Sequence, residues 1–378
     1  MGRSGATVHK REKDEMKGIR LGRHGSIALL ATLALLSAGT LITSCRDNGS
    51  ADSLDAAGAT FPLPYYNVIF KKYQEQKGVR INYGALGSGG GIRSLTDRVV
   101  DFAATDAFLT DDEMSALPAI VHIPTCMGAV VVAYNLPEVS GLKLTGALIA
   151  DIYLGRITMW NDPAIKAINE GISLPNKKIS PVYRADGSGT TNVFSNYLSK
   201  VSEEWQNSVG SGKSLKWPIG LAAKGNPGVA GVIKQTDGAI GYIGSEYSFS
   251  LGMPTAAILN RAGNYINPSL ESISAAAEGD LPADTRTMIT DADGANAYPI
   301  SCLTWLILYK EQKYDKRSAE KAQATVDFVR WMLGDEAQKE TTNVHFAPLP
   351  AQLKANALAQ IESVTYDGKP LSSSEKAK

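Results

Sequence analysis

A two-lobed α/β fold is predicted from three observations. Strand-like runs at 79–86, 130–134, 179–184, 239–243 and 303–309 alternate with helical ones at 63–76, 191–201 and 318–333. Roughly 320 residues follow the N-terminal segment, more than one ordinary domain holds. Glycine-rich polar turns lie where strand-like runs pass into helical ones.

From the N-terminus, Lys10, Arg11, Lys13, Lys17, Arg20 and Arg23 form a basic region ahead of an apolar run at 27–42. Leu41-Ile42-Thr43-Ser44-Cys45 then resembles a bacterial lipobox, so residues 1–44 read as a lipoprotein signal peptide and Cys45 as the lipidation site. The apolar run is shorter than the ~20 residues of a membrane-spanning helix. Met16 is an alternative start. Residues 45–55 are small and polar and read as a flexible linker, and 372–378 as a frayed tail. The whole chain has a formal net charge of +0. Because its N-terminal region is basic, the remainder is slightly acidic, which argues against a nucleic-acid binder. Any anion must be captured by local groups rather than by the global field.

The first turn, Gly58-Ala59-Thr60-Phe61-Pro62, precedes Val68, Ile69 and Tyr73 at helical spacing, with Thr60 as the expected cap. The second, Gly87-Ser88-Gly89-Gly90-Gly91, lies between a strand-like and a helical run and places Ser88 at another expected cap. The third, Arg184-Ala185-Asp186-Gly187-Ser188-Gly189-Thr190-Thr191, is the most informative. Its glycines admit close approach, the Ser188 and Thr190 hydroxyls and free N–H groups sit at a helix start, and Arg184 adds a permanent positive fork. The same run also reads as a capped loop whose Arg184–Asp186 pair is only structural. Three hydroxyl-bearing helix starts together suit a bound oxyanion. ATP is a poor fit, because Gly189 and Gly87 stand where a phosphate loop needs Lys. Nucleophile-elbow spacing is also absent, since Leu86 and Asp186 stand two residues before Ser88 and Ser188.

Beyond the basic region the histidines are His122 and His345, far apart and without metal-ligand spacing. A phosphomonoesterase acting through Ser188 or Ser88 would need a base or metals that these do not supply. Asp101 and Asp111-Asp112-Glu113 read mostly as caps or solvated acids. Cys126 and Cys302 are either buried thiols or a bridge. Trp331, with Ala322, Val326 and Val329, reads as a helix packing face.

These turns, with Val100-Asp101-Phe102-Ala103-Ala104-Thr105-Asp106, Asp151-Ile152-Tyr153-Leu154-Gly155, Trp217-Pro218-Ile219-Gly220 and Gly238-Ala239-Ile240-Gly241-Tyr242, resemble the phosphate-binding proteins of bacterial high-affinity phosphate ABC transporters. The likeness runs from about Ala56 through the C-terminal region. It implies a periplasmic-binding-protein fold with one lobe at 56–127 plus 299–378 and the other at 128–298. The segments joining them would cross near 123–133 and 297–306. It further implies phosphate held by Thr60, the Phe61 backbone N–H, Ser88, Asp106, Arg184, Asp186, Ser188, Gly189 and Thr190, with no catalysis, metal or cofactor. The expected partners are inorganic phosphate, the permease and ATPase of the importer, and the membrane through a lipid anchor, with the receptor itself a monomer in the cell envelope. A receptor for another tetrahedral oxyanion is the alternative. Asp106 separates the two readings, because hydrogen phosphate can donate its proton to a carboxylate and a fully deprotonated anion cannot.

Overall fold

The computed structural model describes residues 51–279 and 281–371. The expected signal peptide, the lipidation site Cys45 and the tail at 372–378 lie outside the described residues.

Eight strands form one continuous ladder, in the order Arg80–Gly84, Ser53–Gly58, Phe102–Thr105, Ser301–Tyr309, Ile120–Tyr134, Ala239–Gly244, Ser180–Arg184 and Leu221–Ala223. Three outer strands on each side run parallel. The two central strands pair antiparallel, as do their junctions with the flanking strands. Ile120–Tyr134 belongs to both halves, since its first part pairs with Ser301–Tyr309 and its last five residues pair with Ala239–Gly244. Buried along their whole lengths, both central strands are near-continuous apolar and β-branched runs, as strands covered on both faces require.

Helices cover each half. Leu63–Lys77 and Ala319–Met332 pack on the first, where Phe70, Tyr73 and Phe102 surround Phe328. On the second lie Gly189–Val201 and Gly225–Gln235, with Phe194 stacked on Tyr242 at 4.3 Å. Trp331 is a packing residue as expected, its ring 5.0 Å from that of Tyr73.

Several expectations need correction. The first strand begins at Ser53, so the last three residues of the expected linker are sheet, and Arg80 N–H already bonds to Asp52 O. Thr60 is not a cap, because its helix begins at Leu63 with Pro62 as the cap residue. Ser88 is likewise the first helical residue, behind Gly87 at φ 85°. Asp101 is not solvated but is buried against Arg317. Of the two readings left open for Cys126 and Cys302 the structure has the first, since both are buried free thiols on the two central strands.

Candidate functional site

Parallel strands from both halves deliver their C-terminal ends to one cleft, the position where open α/β sheets bind ligands. From the first half come Thr60, two residues past Gly58, Ser88 at the start of its helix, and Asp106, directly after Thr105. Arg184 closes its strand in the second half, and Ser188, Gly189 and Thr190 follow at the next helix N-terminus. Of the expected caps only Ser188 behaves as one, its Oγ accepting Thr191 N–H at 3.0 Å.

The residues expected to hold the anion are brought together. Thr60, Phe61, Ser88, Asp106, Arg184, Ser188 and Thr190 are all buried, and Asp186 is half-buried. Ser88 Oγ accepts the Asp106 N–H at 3.2 Å. Thr190 Oγ1 donates to Asp106 Oδ2 at 3.3 Å, and Thr304 Oγ1 donates to Oδ1 at 2.9 Å. The halves also touch through backbone, with Gly89 N–H bonded to Gly187 O at 2.8 Å. A Cβ on Gly189 would lie 2.5 Å from Ser88 Oγ, so only glycine permits this approach. Phe61 contributes its ring to the core, packed edge-on against Phe346 at 5.5 Å.

Asp186 braces Arg184. Nε and Nη2 of the guanidinium engage its two oxygens at 2.8 and 2.5 Å, leaving Nη1 toward Thr190 Oγ1 at 3.4 Å. Burial raises the Asp186 carboxyl, but the Arg184 pair and the Gly225 N–H outweigh it and hold it below its ordinary value. Asp106 responds in the opposite sense. Burial pushes its carboxyl from 3.8 to about 7, against the Thr304 and Thr190 hydrogen bonds and the Arg184 charge. A wall of donors around one buried carboxyl of this kind suits a tetrahedral oxyanion that carries a proton.

Sequence reasoning passed over Asn226 and Thr304. Asn226 is fully buried and bridges Thr60 and Thr190. Its signal was present, because the strand Leu221–Ala223, Gly225 and the helix Gly225–Gln235 form a fourth strand–glycine–helix junction. Thr304 sits in an apolar strand with little to mark it. A register shift between Thr304 and Trp305 opposite Cys126 and Pro124 interrupts the ladder beside it.

Residues 45–336 match the model of the PBP superfamily domain. The phosphate-binding protein PstS of Xylella fastidiosa (strain Temecula1) is 40% identical over 315 residues, covering 82% of this chain and 84% of that protein. The chain belongs to the PstS phosphate-binding proteins of the PBP superfamily. PstS of Pasteurella multocida is 37% identical over 328 residues, covering 85% and 94% of the two chains. The solved phosphate-binding protein from Stenotrophomonas maltophilia matches at TM-score 0.61 and 18% identity, covering 81% of this chain and 93% of that one, and so shares the fold. The family's two-lobed α/β architecture is therefore the one predicted from the sequence.

Proposed function

We propose that the protein captures inorganic phosphate in the cleft between its two half-sheets and delivers it to the permease of a phosphate ABC importer. One observation carries this reading: donors from both halves converge on Asp106, a buried carboxyl suited to accept a proton from hydrogen phosphate. Membership of the PstS family supports both the ligand and the transporter partner. The ligand set is Thr60, Phe61 through its N–H, Ser88, Asp106, Arg184, Ser188, Gly189 and Thr190, with Asp186 acting through Arg184.

The lobes divide at 128 and 299, the first holding 53–127 and the chain from 299 onward and the second 128–298. Support comes from the ladder, where Cys302 pairs with Gly128 and Ser301 with Ala129, so both crossings lie side by side. Binding closes the cleft about them. The receptor is a monomer held outside the cytoplasmic membrane by a lipid on Cys45, and no helix among the described residues is long and apolar enough to cross a membrane. It performs no covalent chemistry. The serine oxygens support that reading, since Ser188 caps a helix and Ser88 accepts a backbone N–H. His122 Nε2 is occupied by the Leu109 N–H.

Isothermal titration with phosphate, arsenate, sulfate and molybdate tests the ligand. Phosphate is expected to bind with a large preference over sulfate, and equal affinity for the two would overturn the reading. A Cys45→Ser precursor is expected to leave the detergent phase, since each buried methylene of the lipid contributes about 0.8 kcal/mol.

A further inference from the structure

Asn226 stands at the start of the helix Gly225–Gln235 and is fully buried. Its backbone N–H and its side-chain Nδ2 both donate to Thr60 Oγ1, at 3.0 and 3.1 Å. Nδ2 also donates to Thr190 Oγ1 at 3.1 Å, and Oδ1 accepts the Gly244 N–H at 3.0 Å. The Gly244 donor fixes which end of the amide is oxygen, so Nδ2 must face the two threonines.

A hydroxyl oxygen has two lone pairs and one hydrogen. Asn226 fills both lone pairs of Thr60, and that hydroxyl is left only with its proton to give. Thr190 Oγ1 accepts from Asn226 and from Arg184 Nη1, and it too acts as a donor, at present toward Asp106 Oδ2. A deprotonated oxyanion oxygen accepts and never donates, so a freely rotating hydroxyl would offer it a lone pair part of the time.

Resting on the phosphate-binding reading above, we propose that Asn226 is a positioning residue that presents the Thr60 and Thr190 hydroxyls to the anion as donors and ties the two halves together across the cleft. Thr60 belongs to the first half, and Thr190 and Asn226 to the second, so the bonds to Thr60 form only when the halves meet, whereas the bond to Thr190 lies within one half. Losing the amide should therefore speed release more than it slows capture.

The test is a double-mutant cycle on the purified chain, with inorganic phosphate affinity from titration and release from stopped-flow. Wild type is measured first. Failure of wild type to bind phosphate would strike the functional reading, and the cycle would then be run with whichever of arsenate, sulfate or molybdate binds. Asn226→Ala is expected to weaken binding tenfold or more, mostly through release. In a Thr60→Val background only the Thr190 hydroxyl is left to orient, so the same change should cost clearly less than it does in wild type. Asn226→Asp keeps the volume and turns a donor into an acceptor, so it should bind more weakly than Asn226→Ala, and its penalty should shrink with Thr60→Val. Fully multiplicative effects, or an Asn226→Asp protein that binds better than Asn226→Ala, would overturn the positioning role.

Discussion

Arg184 and Asp186 form a two-point pair in the cleft wall, Nε to Oδ1 at 2.8 Å and Nη2 to Oδ2 at 2.5 Å. Gly225 N–H also bonds to Oδ1, at 2.9 Å. Both carboxylate oxygens are thus engaged away from an anion, and the guanidinium is held with Nη1 toward Thr190. The pair is structural in one sense, as one reading of the sequence has it, and in the function proposed above it also aims the cleft's permanent charge.

Arg184→Lys keeps the charge and loses the fork. Charge-assisted hydrogen bonds contribute about 1.5–3 kcal/mol each, so phosphate affinity should fall by roughly ten- to a hundredfold. Titration calorimetry reads this directly, and an unchanged dissociation constant would remove Arg184 from the ligand set.

Asp106→Asn keeps the shape and replaces an acceptor with a donor. Phosphate affinity should drop while the phosphate-over-sulfate ratio narrows, because the group proposed to read the ligand's proton is gone. Ser88→Ala should weaken both anions alike. An unaltered ratio in Asp106→Asn would place discrimination at another acceptor.

Two buried acids make stability depend on pH in a defined direction. Burial raises Asp106 from 3.8 to about 7, and Glu246, buried with both oxygens unpartnered among the described residues, is raised well above 4.5. The folded chain therefore binds more protons than the unfolded one above pH ~4, and anion-free stability should fall as pH rises toward 7. For Asp106 the full shift corresponds to about 4 kcal/mol. Urea unfolding at several pH values in phosphate-free buffer should show this slope in wild type and a flatter one in Asp106→Asn and in Glu246→Gln. Identical slopes in all three would contradict the assignment.

Gly189→Ala places a methyl 2.5 Å from Ser88 Oγ and 2.7 Å from Asp106 Cβ. Since overpacking costs about 1–3 kcal/mol, the cleft should close less fully and phosphate affinity should fall roughly 5- to 150-fold. Small-angle scattering with saturating phosphate should give a more extended particle than wild type, and superposable curves would refute the steric argument.

Asp101 lies far from this chemistry, paired with buried Arg317 and with Lys321 at 3.2 Å, and accepting the Asp55 N–H at 2.7 Å. Asp101→Asn leaves the arginine charge buried, which should cost about 3–5 kcal/mol of stability. The phosphate dissociation constant of the folded protein should stay the same, as checked by denaturant unfolding beside titration.

Local order in the sequence was enough for the fold class and for most of the candidate site. Alternating and helical periodicities mark the outer strands and the helices, and the run from Arg184 to Thr190 carries its charge, glycines and hydroxyls within one turn. The caps were less legible. Thr60 and Ser88 have cap chemistry, but Pro62 and Gly87 take those places because cap position depends on where the chain leaves its strand. Asp106 was marked as an acceptor only through the family resemblance, and its raised affinity for a proton comes from burial, which only packing imposes. Asn226 and Thr304 lie 166 and 198 residues from Thr60 and Asp106, the groups they touch. No local pattern encodes such pairings, since they exist only once two crossing strands bring the ends of six parallel strands to one cleft.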